Sequence, residues 1–279
     1  MQATDVTGRP ELFAVPNNAK PPRTDQFSAG VRQRFGQWQG SVTATYIRGR
    51  NGYTHLRAER RPDGSCCDES LANSFGYARL LIGSDSLDTR YKGLYFTMDK
   101  PYSRASGWGV NIAYTLAKGE QNGNDLFSLD KETPDDFGFR PRPGDERHKV
   151  VIGAMIDLPY GFRASTLSQF GSGAAYQVFD ARKGFGIDER EITSAYPEKN
   201  CVDGVFAFCE VNLTLENNFK VYRGATVNLA VDFLNVFNSN NFAGFDGFRS
   251  ATDPLEPGRI GNSSLTLPRR IQFRAGFRF

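Results

Sequence analysis

Apolar residues return at every second position along most of this chain. The clearest stripe is Trp108, Val110, Ile112, Tyr114 and Leu116, with Gly109, Asn111, Ala113, Thr115 and Ala117 between them. The end repeats it: Ile271, Phe273, Ala275, Phe277 and Phe279 alternate with Gln272, Arg274, Gly276 and Arg278. Shorter stripes run Val150–Leu158, Val211–Leu215, Val227–Phe233 and Leu94–Met98, and less cleanly Phe27–Val31 and Val42–Tyr46. Period-two alternation marks a strand with unlike faces. It predicts nine strands, at 25–36, 39–50, 89–100, 106–118, 146–158, 162–171, 209–220, 225–237 and 269–279. Residues 77–84 either extend the third strand or form a loop hairpin.

The connections alternate in length. Gly36–Gln39, Pro101–Ala105, Pro159–Gly161 and Val221–Gly224 are tight and carry Gly or Pro. The others, 51–88, 119–145, 172–208 and 238–268, are long and rich in Asp, Asn, Gly, Ser and Pro. A compact soluble domain rarely carries four loops of that size. Outer-membrane barrels do, with short periplasmic turns and long external loops. Strands of about ten residues are long enough to cross the hydrocarbon when tilted. The expected fold is therefore all-β: a partial antiparallel transmembrane β-barrel. Its polar face points to the lumen, because a charge at mid-depth on the lipid side is costly. Trp108, Val110, Ile112, Tyr114, Leu116 and Ile271 are expected to face lipid, and Arg274 and Arg278 the lumen. With the last strand ending in the periplasm, the first descends from outside and residues 1–24 belong to an external loop. Nine is odd, whereas such barrels close on even counts, so strands are expected upstream.

Composition agrees with this reading. The 279 residues include 23 Phe, 11 Tyr and 29 Gly, and no apolar run is long enough for a spanning helix. A mean hydropathy of −0.47 is compatible with a barrel, because lumen and lipid positions dilute one another. The net charge of +3 is spread out, leaving no nucleic-acid footprint. The first residues lack the basic and apolar regions of a secretory signal. Either the natural N-terminal part is missing or the protein is not a membrane protein.

Candidate chemistry is thin. Two histidines make a catalytic triad or a His-rich metal site improbable, and there is no phosphate-binding glycine loop. No enzyme activity, cofactor or metal is expected. The charged run from Pro134 to His148 reads as a solvated loop entering a strand. Cys66 and Cys67 are adjacent; Cys201 and Cys209 flank a step that closes a loop disulfide in an oxidising compartment, with zinc ligation the weaker reading.

Several stretches resemble one family. They are Arg90-Tyr91-Lys92-Gly93-Leu94, Ala113-Tyr114-Thr115-Leu116-Ala117-Lys118, Asp145-Glu146-Arg147-His148-Lys149 and Asp157-Leu158-Pro159-Tyr160-Gly161. Phe233-Leu234-Asn235-Val236-Phe237-Asn238, Asn241-Phe242 and Pro268-Arg269-Arg270-Ile271-Gln272-Phe273 with the closing Arg278-Phe279 complete the set. In order and spacing the set resembles the C-terminal barrel of TonB-dependent outer-membrane receptors, in particular the Oar-like receptors with a carboxypeptidase-regulatory-like domain. The resemblance implies a 22-stranded barrel, a plug, a TonB box and a signal peptide, all but the last barrel strands lying outside 1–279. It also implies a cell outer membrane of a Gram-negative bacterium. The implied partners are membrane lipid and lipopolysaccharide, the missing barrel half and plug, and TonB through the missing part. The barrel-assembly machinery would read Phe273, Phe277 and Phe279. Two alternatives stand beside this reading: a smaller structural or oligomeric outer-membrane barrel, and a soluble glycan-binding β-sandwich.

Overall fold

A computed structural model describes residues 8–61, 67–180, 191–221, 224–249, 260–264 and 266–279. Among these residues nine long strands form one antiparallel meander. They are β1 (Arg23–Phe35), β2 (Trp38–Arg57), β3 (Arg79–Lys100), β4 (Trp108–Gln121) and β5 (His148–Asp157). β6 (Phe162–Gly171), β7 (Phe208–Lys220), β8 (Thr226–Leu234) and β9 (Arg270–Arg278) follow. Each pairs with its sequence neighbours, and among the described residues β1 and β9 pair with each other nowhere. Among the described residues the sheet therefore ends in two open edges.

Short turns gather at one end. Phe35 pairs with Trp38 across Gly36 and Gln37, and Gly36 sits at φ +61°, the first position of a two-residue hairpin turn that demands glycine. At the β5–β6 turn Tyr160 also takes a positive φ, 61°, and its side chain is fully out in solvent. Asn217 of β7 donates to the Tyr160 carbonyl at 3.0 Å and braces that turn.

The register sorts the side chains into two faces. One continuous line runs Val31, Val42, Phe96, Tyr114, Val150 and Phe170 from β1 to β6. Another runs Lys100, Val110, Ala154, Thr166, Leu213, Phe233 and Ile271 from β3 to β9. That second line starts at the short-turn end of β3 and reaches β9 seven residues above Arg278, its own last residue. Seven residues of stagger at ~3.3 Å over six strand intervals of ~4.8 Å tilt the strands by roughly 40° when the short turns share a plane. Outer-membrane barrels tilt by about that much.

Burial is inverted relative to a soluble domain. Phe27, Val31, Phe273 and Phe277 are more than half exposed, whereas few apolar side chains are buried. Thr54, Gln121, Asn122, Ser128, Asn235 and Asn241 are buried instead. A contiguous apolar surface of this extent is what lipid would cover. Lys100 is a cation on this face, at the short-turn end. Its Nζ donates to Ser106 Oγ (2.8 Å) and the Trp108 carbonyl (2.7 Å) and lies 4.0 Å from the Trp108 ring centroid. Aromatics cluster at the same end, with Trp38 and Trp108 edge to face at 5.8 Å.

At the other end the strands run past the apolar band. The sequence places residues 51–88 in a loop, but β2 continues to Arg57 and β3 begins at Arg79, with register shifts on either side of Gly52. Residues 77–84 thus belong mainly to the third strand. Glu11–Ala14 pairs in parallel with Arg79–Ile82, so this part of the first 24 residues lies at the long-loop end. Among the described residues no helix is long and apolar enough to cross a membrane.

Candidate functional site

The polar face and the long-loop end hold the molecule's organised polar chemistry. On β3 the hydroxyls of Tyr91 and Tyr95 meet at 2.6 Å above Gly93, where a Cβ would come within 2.9 Å of the Tyr91 ring and of the Tyr95 hydroxyl. Both tyrosines stand on the polar face, with Thr115 and Gly119 opposite them on β4.

The segment joining β4 to β5 folds over that surface. A cleft of about 440 Å³ lies between them, lined by Tyr91, Thr115, Asp125, Arg142, Asp145 and Lys149 among others. Arg142 pairs with Asp125 at 3.1 Å on the exposed rim. Asp145 is buried: it accepts from the Gly119 amide at 2.6 Å and from the Tyr196 hydroxyl at 2.5 Å. Arg147 lies 3.8 Å from it. Burial pushes the Tyr196 phenol up, reinforced by its bond to Asp145.

The run from Pro134 to His148 is therefore not simply solvated. Arg140 and Asp145 are both buried. Arg140 donates to Asn124 Oδ1 at 2.5 Å and stacks on Phe137 at 4.6 Å, and its burial lowers the guanidinium's pKa. Asn124 also receives Gln177 Nε2 at 2.6 Å, tying the loop after β4 to the loop after β6. Thr54 and Ser128 share a buried hydrogen bond of 3.0 Å. Asn122 accepts from the Asp88 amide at 2.6 Å and donates to Asp135 at 2.7 Å. Periodicity could not reveal these contacts, because each rests on one amide or hydroxyl at a non-repeating position. The clustered Asn and Ser were the available signal.

Three asparagines organise the C-terminal strands. Asn241 is 1% exposed and treats Cys209 as a neighbouring strand would: its Oδ1 accepts from the Cys209 amide (2.8 Å), and its Nδ2 donates to the Cys209 carbonyl (2.7 Å). Asn235, at φ +50°, donates to the carbonyls of Ser239 (3.0 Å) and Leu267 (3.1 Å). Asn238 accepts from the Arg269 amide at 2.9 Å, setting the start of β9. Cys201 and Cys209 form a disulfide with Cα atoms 6.4 Å apart, fastening the 201–206 turn to the start of β7. Among the described residues no cysteine is free.

The remaining sequence-derived residues fall on two sides of the sheet. Trp108, Val110, Ile112, Tyr114 and Leu116 share the apolar face with Ile271, Phe273 and Phe277. Arg274 and Arg278 stand on the polar face, where Arg274 binds Asp232 through two hydrogen bonds. Phe279 is 99% exposed, and Phe277 packs edge to face on it at 4.6 Å. Among the described residues no group of three or more His, Cys, Asp or Glu could hold a metal ion. The cleft and the polar face offer charge and hydrogen bonding to a bound group.

Tilted antiparallel strands, short turns at one end, long loops at the other and an apolar outer surface define the wall of an outer-membrane-type β-barrel. No protein-family model matches the chain, and no curated protein matches it in sequence. Solved structures do match it in fold. It is similar to the outer membrane transporter YddB from Escherichia coli, at 12% identity and a TM-score of 0.61 over 97% of this chain and 34% of that one. It is similar to the pyoverdine outer membrane receptor FpvA from Pseudomonas aeruginosa, at 12% identity and 0.54 over 94% of this chain and 30% of that one. The FrpB iron transporter from Neisseria meningitidis matches at 11% identity and 0.50, over 94% of this chain and 32% of that one. The chain spans about a third of the length of these proteins. They are described as transporters or receptors, not enzymes.

Proposed function

We propose that residues 1–279 are the C-terminal part of the barrel of a TonB-dependent receptor, of the Oar-like kind, in the outer membrane of a Gram-negative bacterium. The observation that carries this reading is the nine-stranded meander with one apolar face and two open edges. An unpaired edge in hydrocarbon leaves each backbone donor and acceptor unsatisfied at a cost of several kcal/mol, so in this reading further strands lie against β1 and β9. Coverage of about a third of each matched transporter supports the same view.

In this reading the apolar face meets lipid and the polar face lines the lumen against a plug. The cleft beside Tyr91 and Lys149 is part of the external vestibule, where loops and lumen together hold a substrate. Coupling to TonB runs through the plug, outside these residues. Phe273, Phe277 and Phe279 are the signal read by the barrel-assembly machinery. The disulfide between Cys201 and Cys209 suits an oxidising compartment. The chain works by binding and passage, with no catalytic step.

Fractionation of cells expressing the complete gene tests this. The protein is expected in the detergent-resistant outer-membrane fraction, migrating faster on gels before heating than after. Recovery as a soluble cytosolic protein would contradict it.

A further inference from the structure

We infer that the cleft under the β4–β5 segment binds a short peptide, held by its C-terminal carboxylate at Lys149. The inference deepens the vestibule reading above and rests on it. Tyr95, Thr115, Lys149 and Gly171 form one row across β3–β6 on the polar face. Lys149 is exposed and, among the described residues, its ammonium pairs with no carboxylate. Nor does the Thr115 hydroxyl have a hydrogen-bond partner among them. The Tyr91 and Tyr95 hydroxyls hold two hydrogens, and their mutual bond uses one. With Tyr95 donating, the Tyr91 hydrogen is left for the cleft. Lys149, Thr115 and Tyr91 all line the same hollow of about 440 Å³. They offer it an ammonium and two hydroxyl donors, a set suited to a carboxylate.

Charge limits the ligand. Asp145 and Glu146 line the hollow as well, and each already accepts a backbone amide, from Gly119 at 2.6 Å and from Gly173 at 3.2 Å. A dianion such as a phosphate monoester would bring a second negative charge against these two, whereas a carboxylate matches Lys149 alone. A neutral sugar would leave the ammonium unpaired. The other end of the cleft sets a length. The Arg142 amide bonds to the Gly119 carbonyl, four residues along β4 from Thr115. That is about 13 Å, the span of about four extended residues. There the rim pair of Asp125 and Arg142 is more than half exposed on both sides, and such a pair contributes little. An arriving α-ammonium can take the place of Arg142 on Asp125. Carboxylate below and ammonium above fit a peptide of about four residues running up the cleft.

The whole protein, extracted from cells in detergent, is titrated calorimetrically with three probes: tetra-alanine, tetra-alanine amide and N-acetyl-tetra-alanine. One tetra-alanine per chain is expected. The amide should bind about tenfold more weakly, since it loses charge-assisted hydrogen bonds, and the acetylated peptide should lose less, since its end meets only the exposed rim. Lys149→Gln should weaken tetra-alanine about tenfold and change the amide's affinity far less, a pattern that general damage to the cleft would not give. Thr115→Val should weaken tetra-alanine to a smaller extent. Lys220→Gln, at the short-turn end, should leave binding unchanged. Heat-modifiable migration of each variant confirms that it is folded. Equal binding of acid and amide, undiminished binding by folded Lys149→Gln, or no binding of tetra-alanine by the folded wild type overturns the inference and leaves the barrel standing. Recovery of the protein from the cytosol without detergent overturns the barrel reading instead.

Discussion

Arg274 reaches diagonally across the β8–β9 ladder and grips Asp232, with Nε at 2.6 Å from Oδ2 and Nη2 at 2.9 Å from Oδ1. The Thr214 hydroxyl donates to the same carboxylate from β7 at 2.6 Å. One acid thereby ties the last three strands together on the polar face.

Arg274→Ala in the full-length barrel should lower its unfolding temperature more than Arg278→Ala does. Arg278 makes no such contact among the described residues. Arg274→Lys should recover only part of the loss, since a single ammonium cannot make the two-pronged bond. Equal shifts for the two alanine variants would show that the Asp232 pair contributes nothing.

Asn241→Ala should cost about 2–4 kcal/mol, because it leaves the Cys209 amide and carbonyl buried and unpaired. Denaturant unfolding of the full-length protein measures this. A loss below about 0.5 kcal/mol would mean that water replaces the side chain.

Charge on either face of β4 separates the two environments. Ile112→Arg, at the middle of the apolar face, should cost about 2–4 kcal/mol, whereas Asn111→Arg on the polar face should be nearly neutral. The yield of folded, heat-modifiable protein reports the difference. The reverse order would exchange the faces.

The loops should respond to alkali. Tyr196 is pushed up by burial, so its bond to Asp145 is intact at neutral pH. Its contribution to loop stability is fully present below the unfolded phenol value near 10 and is lost as pH rises through the higher folded value. Proteolysis of the 172–208 loop should accelerate above pH 10 in the wild type, and Tyr196→Phe should flatten that dependence. An unchanged pH profile in Tyr196→Phe would assign the alkaline sensitivity elsewhere.

The nine strands were legible because each separates a greasy side from a wet one, and Trp108–Leu116 and Ile271–Phe279 advertise that contrast at every step. The tight turns were legible from Gly36 and Pro159. The extensions of β2 to Arg57 and β3 back to Arg79 were not, since alternation fades once both faces leave the apolar band. The parallel pairing of Glu11–Ala14 joins segments far apart in sequence and leaves no local trace. The site residues divide in the same way. Arg274 was readable from its strand position, but its partner Asp232 depends on the register between strands. Asp145 looked like one charge in a solvated run, and only the fold of the loop over Gly119 buries it.

Spin labels placed one at a time at residues 108–117 of the full-length protein in bilayers probe the two faces most directly. Oxygen, which partitions into lipid, should reach labels at 108, 110, 112, 114 and 116, and a water-soluble nickel complex should reach those at 109, 111, 113, 115 and 117. Equal access of the nickel complex to both sets would contradict a sheet with hydrocarbon on one side and water on the other.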